Sequence, residues 1–413
     1  MVTPLLDDRA HASALDARDP LAVYRERFYL PAGKIYLDGN SLGLPTRAGE
    51  AALLRAMEQW KTLGIDGWTG AAPPWFTLGE DLGALMAPLV GAAPATVVAT
   101  GTTTVNLHAL VATFYHPQGT RRRIVCAAPD FPSDRYALAS QVALHGGDAL
   151  DLVAVPERAA GFLDEADIIA AFTDEVALAL LPGALYRSGQ LLDMPRLTVA
   201  AHARGILIGF DGAHAVGAVP HELDAWGVDF AFWCGYKYLN GGPGSTAGLY
   251  VHPRHHDRLP ALRGWWGYQK DRQFDMAPDF VGAAGAGAWQ ISTPSVFAAA
   301  PLYGSLALFA EVGLASLRAK SLALTDYLIA LVDELGEQGY GVGTPREHAR
   351  RGGHVAVTHP DAARIGKALK AHGVIPDFRP PDVLRLAPIA FYTSFVEVWE
   401  AAQQLRAIVQ TGA

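Results

Sequence analysis

Residues 206–217 read ILIGFDGAHAVG and residues 228–248 read VDFAFWCGYKYLNGGPGSTAG. In the first stretch an apolar run, Ile206 to Phe210, delivers Asp211 at its carboxyl end; in the second, Val228 to Cys234 delivers Tyr236 and Lys237 into a glycine-rich turn. Short runs that are apolar throughout suit strands covered on both faces. Open α/β sheets place ligands at the carboxyl ends of such strands. Two strand ends therefore aim a carboxylate and an amine at one cleft.

The same kind of run recurs upstream as IVCAA (124–128), DLVAV (151–155) and VALALL (176–181), with segments between them long enough for a covering helix. That alternation predicts an α/β domain with a largely parallel sheet. Glu50 to Trp60 reads as helix, and the Gly/Pro-rich piece around Gly64 to Pro74 as a loop carrying Trp68 and Trp75. Phe280 to Ala310 is poor in charge, but Gly282, Gly285, Gly287, Pro294, Pro301 and Gly304 interrupt it. It reads as a buried loop and core helix, since a membrane span needs about 20 apolar residues in succession.

Near residue 320 the pattern changes. Leu324, Tyr327, Leu328, Leu331, Val332 and Leu335 share one helical face, which Gly336 and Gly339 end. Strand-like VAVT, a helix around Ile365 to His372 and strand-like VLRLA follow. The expectation is a large domain over 46–319 and a smaller α+β domain built from 320–413 and the N-terminal arm, 1–45.

With 33 basic and 41 acidic residues the net charge is −8, which leaves no electrostatic footprint for nucleic acid or an anionic membrane. Arg121 to Arg123 reads as a solvated turn. Cys126 and Cys234 are too few for a disulfide framework or a four-ligand zinc site, so a reducing compartment is expected. The first twenty residues carry Asp7, Asp8, Asp16 and Asp19 and no signal-type apolar stretch, so the expected location is the cytoplasm. His252, His255 and His256 lack the H-E-x-x-H spacing; HPRHHDR reads as a solvated turn, and no metal is expected. A charged fraction of 18%, below the usual figure, suggests surface covered by a partner subunit.

Of the chain's lysines, Lys61, Lys320, Lys367 and Lys370 sit in helical, solvent-facing patterns, whereas Lys237 is flanked by Cys234, Tyr236, Tyr238 and Leu239. A desolvated lysine has a lowered pKa and becomes nucleophilic. The plainer alternative is an exposed loop lysine beside an Asp211 that caps a turn. An amine able to form a Schiff base, with a carboxylate for a pyridinium nitrogen, is what pyridoxal 5′-phosphate (PLP) requires of a protein. Gly101, Thr102, Thr103 and Thr104 precede a helical pattern and suit its phosphate, although an ordinary threonine N-cap reads the same way. In FPSD, Phe131 to Asp134, Phe131 is either a stacking face for the cofactor or a core aromatic before a turn.

The ordered series YLDGNSLGLP (36–45), TTTVNLH (102–108), FPSD, GFDGAHAVG, WCGYKYLNGGPG, GWWGY (264–268) and DFRPPDVLRLAP (377–388) resembles the kynureninase family over most of the chain. The resemblance implies PLP fold type I: a large domain with a mixed, mostly parallel sheet covered by helices, plus a smaller α+β domain. It implies hydrolytic Cβ–Cγ cleavage of L-kynurenine to anthranilate and L-alanine, within the kynurenine pathway of tryptophan breakdown. Preference over 3-hydroxykynurenine stays open, because QISTPS departs from the family pattern near residue 292.

Carried over by motif position, Lys237 holds PLP, Asp211 pairs with its ring nitrogen, and His214 lies beside the ring. Phe131 stacks on it, with Asp134 near its polar edge. Thr103, Thr104 and Tyr236 bind the phosphate, while Trp265 and Ser292 or Thr293 reach it from a second subunit, which implies a homodimer with a shared site. Tyr236 is also the candidate proton donor. Arg385 clamps the substrate carboxylate, against the alternative of a strand arginine paired with Asp382; Asn40 and Trp68 belong to the substrate pocket. Pro182 replaces a residue that can hydrogen-bond the cofactor in relatives. The rival readings are another fold type I enzyme, an aminotransferase or cysteine desulfurase, and a non-catalytic binding protein.

Overall fold

The computed structural model describes residues 8–158 and 161–411. Asp7, with the rest of the first seven residues of the expected arm, lies outside them. The strands in chain order begin with β1 (Ile35–Tyr36), β2 (Val97–Thr100), β3 (Arg123–Ala127), β4 (Leu152–Val155) and β5 (Val176–Pro182). They continue with β6 (Leu207–Asp211), β7 (Phe230–Trp233) and β8 (Ala247–Val251). The C-terminal part adds β9 (Gly341–Val342), β10 (Val355–Thr358), β11 (Val374–Ile375), β12 (Asp377–Arg379) and β13 (Val383–Leu386).

Seven strands form one sheet in the order β2-β8-β7-β6-β5-β3-β4. The pairs β7–β6, β6–β5, β5–β3 and β3–β4 are parallel, and β8 runs antiparallel to both its neighbours. Hence β2, β3, β5, β6 and β7 present their carboxyl ends along one edge. The apolar runs follow from cover on both faces: all seven residues of β5 are buried. Val176, Ala179 and Leu181 join one apolar cluster and Ala177, Leu178 and Leu180 another. The break in alternation at 177–178 coincides with the register shift where Arg123 meets Val176 and Ile124 meets Leu178.

A four-stranded antiparallel sheet, β12-β13-β10-β9, lies against a separate apolar cluster that runs from Leu324 to Ile408 and includes Ala12 and Leu37 of the arm. The arm crosses between the clusters, since its Leu21, Phe28 and Leu44 belong to the larger one. One continuous helix, Leu314–Asp333, spans the expected boundary at 319/320. The buried segment expected over 280–310 is a 3-10 turn, Gly285–Trp289, followed by the helix Val296–Val312. Among the described residues no single helix is long and apolar enough to cross a membrane.

Three surface expectations are corrected. Lys320 is buried and its Nζ lies 2.7 Å from Asp19 of the arm. His255, expected in a solvated turn, is buried and 2.7 Å from the fully buried Asp229, whose other oxygen meets His202 at 2.9 Å. Arg121 to Arg123 are not free in solvent: Arg121 donates to the carbonyls of Val176, Arg204 and Gly205, and Arg122 and Arg123 pair with Asp151 and Glu175. Residue type alone did not show these partners, which come from distant sequence.

Candidate active site

A cleft of about 320 Å³ opens at the shared carboxyl edge of the large sheet. From β2 the chain turns through Gly101 at φ +51, where a Cβ would lie 2.6 Å from Asn106 Oδ1. That turn starts the helix Thr103–Phe114 at the cleft, with Thr103 and Thr104 in its lining. The first N–H groups of a helix have no partner within it and, with the helix dipole, favour an anion. Beyond β3, Phe131 precedes the helix Pro132–Leu144, whose first turn holds Asp134. Phe131 is 38% exposed, and Lys237 Nζ lies 5.9 Å from its ring centroid, so it is a wall of the cleft and not a core aromatic.

Asp211 ends β6 and accepts a hydrogen bond from the Ala213 N–H at 2.8 Å. Three residues on, His214 Nε2 lies 2.9 Å from Lys237 Nζ. With Lys237 as an ammonium, which only donates, Nε2 accepts and the His214 proton is assigned to Nδ1. Burial holds His214 well below the ordinary histidine range, helped by the charges of Lys237 and Arg385. Burial pushes Tyr236 up to about 12, which keeps its phenol protonated.

The arm completes the cleft. Gly43 donates its N–H to the Tyr236 carbonyl at 2.8 Å, and a Cβ there would lie 2.3 Å from the Lys237 carbonyl oxygen. Only glycine lets the NSLG turn seat against the lysine turn. That contact brings Asn40, fully buried with neither amide atom partnered, into the lining. Arg385 of β13 enters from the small sheet. Its Nε donates to Asp377 at 2.6 Å, Nη1 to the Tyr186 carbonyl at 2.7 Å and Nη2 to Ser41 Oγ at 2.9 Å. The alternative pairing with Asp382 is wrong: Asp382 holds Arg187 at 2.6 Å.

The electrostatics of the cleft suit a cationic ring nitrogen. Asp130, Asp134 and Asp211 are all buried there, and burial raises each of them. Beyond burial, the neighbouring Asp211 raises Asp134 further, while the charge of Lys237 and the Ala213 N–H draw Asp211 down. Asp130 Oδ2 and Asp134 Oδ2 find no N–H or O–H donor. A protonated nitrogen would draw Asp211 back toward its ionised form. PLP carries such a nitrogen at one end of its ring, a phosphate for the Thr103–Thr104 helix start, and an aldehyde for Lys237. The residues present fit it.

Ten of the expected residues thus line one cleft: Asn40, Thr103, Thr104, Phe131, Asp134, Asp211, His214, Tyr236, Lys237 and Arg385. Trp68, Trp265 and Ser292 do not line it. Trp68 packs on Trp75 and Trp266, with centroids 5.9 and 5.1 Å away; Trp265 is 45% exposed and Ser292 exposed. The sequence reading missed Ser41, Asp130, Tyr186 and Arg379. Ser41 and Arg379 stand inside the quoted motifs YLDGNSLGLP and DFRPPDVLRLAP, and Asp130 immediately precedes FPSD, so all three were open to detection. Tyr186 carries no local signal; it meets Arg379 across the domains, with the Arg379 guanidinium 5.6 Å from the Tyr186 ring. Cys126 and Cys234 are both buried; burial pushes Cys126 up to about 12 and raises Cys234. Neither is placed to act as a mobile nucleophile.

Residues 317–405 match a family model described as the kynureninase C-terminal domain. The chain is 54% identical over 401 residues to a kynureninase of Geobacillus thermodenitrificans, spanning 97% of this chain and 94% of that one. It is 52% identical over 402 residues to a kynureninase of Bacillus thuringiensis, with the same coverage. Among solved structures, the apo cysteine desulfurase from Thermococcus onnurineus superposes with a TM-score of 0.81 at 18% identity, over 95% of this chain and 99% of that one. A C-DES mutant with glycine covalently linked to its PLP cofactor superposes with a TM-score of 0.79 at 18% identity, over 92% and 98%. At that identity the likeness concerns the fold.

Proposed function

The chain belongs to the kynureninase family, and from that premise we propose how its cleft performs the PLP-dependent hydrolysis of L-kynurenine to anthranilate and L-alanine. The observation that carries the reading is the contact of Lys237 Nζ with His214 in a cleft walled by Asp211, Phe131 and the Thr103–Thr104 helix start. Lys237 would hold the cofactor's aldehyde, Asp211 its ring nitrogen, and Thr103, Thr104 and Tyr236 its phosphate. His214, Phe131 and Asp134 would line the space around its ring. Bound PLP supplies an electron sink for the bonds at the substrate's α- and β-carbons.

Arg385 orients the substrate. Four of its five N–H groups are committed, two to Asp377, one to Tyr186 and one to Ser41. A substrate carboxylate takes the remaining Nη1 hydrogen and replaces Ser41 on Nη2, a two-point clamp. The two unpartnered amide atoms of Asn40 face the same space and suit a polar group of the substrate. Lys237 Nζ would be the base that removes the substrate's α-proton. Water adds to the γ-carbonyl, the Cβ–Cγ bond breaks with its electron pair left on Cβ, and anthranilate departs; Tyr236 gives Cβ a proton and is recharged from the water that was added, and Lys237 returns the proton to Cα to complete alanine.

The same reading makes the enzyme a homodimer. Its support is that Trp265 and Ser292 face outward from a surface that also exposes Leu259, Phe274 and Met276. Trp265 and Ser292 then act at the partner's cleft. Cytoplasmic residence, supported by two free buried cysteines, and a large domain over 46–319, supported by an apolar cluster drawn mostly from those residues, complete the proposal. The purified chain mixed with PLP and L-kynurenine develops anthranilate fluorescence, and Lys237→Ala abolishes it. Absence of fluorescence from the folded wild type under saturating PLP overturns the reading.

A further inference from the structure

His354 lies immediately before β10, in the small domain, and is 1% exposed with no hydrogen-bond partner for either ring nitrogen. Its ring meets that of His214 edge-on, with centroids 6.1 Å apart and planes at 66°. Its segment is firmly held. Gly352 donates its N–H to the Gly189 carbonyl at 2.7 Å, and Arg318 donates to the carbonyls of Arg351, Gly352 and His348. Two unpartnered imidazole nitrogens this deep in a protein carry a desolvation cost unless something satisfies them.

His214 presents the complementary need. Its Nε2 is committed to Lys237 at 2.9 Å, which puts its proton on Nδ1, and Nδ1 is buried without a partner. The rings are too far apart for a direct hydrogen bond and close enough for one bridging water. The geometry points to His354 as a positioning residue: through one water its neutral ring accepts the His214 Nδ1 proton and so fixes the tautomer whose Nε2 faces the Lys237 amine. The inference rests on the reading of Lys237 as the reactive amine.

The charges around His354 keep it able to accept. Burial pushes it down to about 3, and the cations of Arg385, Lys237 and Arg379 act the same way, with the Arg187 backbone alone favouring the charged ring. One of its nitrogens therefore keeps a free lone pair at neutral pH. A tautomer fixed from the small domain links the two domains at the Lys237 amine, the group that takes the α-proton.

The test is ¹⁵N-histidine NMR on the full chain, with and without PLP, with His214 identified by its loss in His214→Gln. Wild type is expected to show His214 protonated on Nδ1 in the PLP-free protein. His354→Phe keeps an aromatic edge without the acceptor; it is expected to shift His214 toward the Nε2–H form and lower kcat about five- to tenfold, the worth of one hydrogen bond. His354→Gln, which can still accept, recovers the tautomer and most of the rate. A wild-type His214 protonated on Nε2, or a Phe variant that keeps the wild-type tautomer, overturns the inference, as does equal loss of rate in both variants. Failure of Lys237 to bind PLP covalently is a separate result that would remove the parent reading instead.

Discussion

Replacement of Arg385 by lysine tests the substrate clamp. The guanidinium is fully buried, and its fork is held by Asp377, the Tyr186 carbonyl and Ser41. Lysine keeps a positive charge for Asp377 but has no planar pair of N–H groups left for a carboxylate. A hydrogen bond to a charged group contributes about 1.5–3 kcal/mol, so loss of one of the two clamp bonds removes about 2 kcal/mol, or about 30-fold in kcat/KM. The assay is anthranilate fluorescence under saturating PLP, repeated with the decarboxylated substrate analogue as a competitive inhibitor. The analogue cannot use the clamp, so its inhibition constant should match between Arg385→Lys and wild type. A folded variant with kcat/KM within twofold of wild type, or an equal loss of affinity for the analogue, refutes the assignment.

Three further outcomes follow from buried groups. Lys320→Met leaves the Asp19 carboxylate buried without its 2.7 Å partner and should lower the unfolding free energy by about 3–5 kcal/mol in urea titrations, with most of it recovered in Asp19→Asn/Lys320→Met. Burial pushes His221 down to about 4, so the unfolded chain binds the extra proton first as pH falls below about 6.5. Its contribution is present above that pH and is lost toward pH 4; between pH 7 and pH 5 wild type should lose about 2 kcal/mol more stability than His221→Gln in paired denaturation curves. Cys126→Ser should cleave kynurenine at the wild-type rate, and iodoacetamide should label neither thiol in the native protein, because both are buried and raised.

Much of this architecture was legible because its physics is local. Strands such as β5 and β6 are buried on both faces and therefore carry uninterrupted apolar runs, and the residues that end them fall at the cleft without further information. Asp211, Tyr236 and Lys237 are of that kind. Gly43 shows how a motif that is opaque in isolation gains its meaning by contact: its missing side chain makes room for the Lys237 carbonyl. What stayed hidden depends on distant partners. The Asp19–Lys320 pair, the Ser41 and Tyr186 partners of Arg385 and the approach of His354 to His214 join segments far apart in sequence, where neither periodicity nor spacing carries a signal. Trp68, Trp265 and Ser292, expected from motif position, lie outside the cleft that their own chain builds.

Borohydride reduction of the PLP-loaded protein, followed by peptide mass analysis, puts the account to its most direct test. One pyridoxyl group is expected per chain, on Lys237, with the visible chromophore bleached as it forms. An unmodified Lys237 peptide from loaded, folded protein, or the adduct on any other lysine, contradicts the assignment on which the mechanism depends.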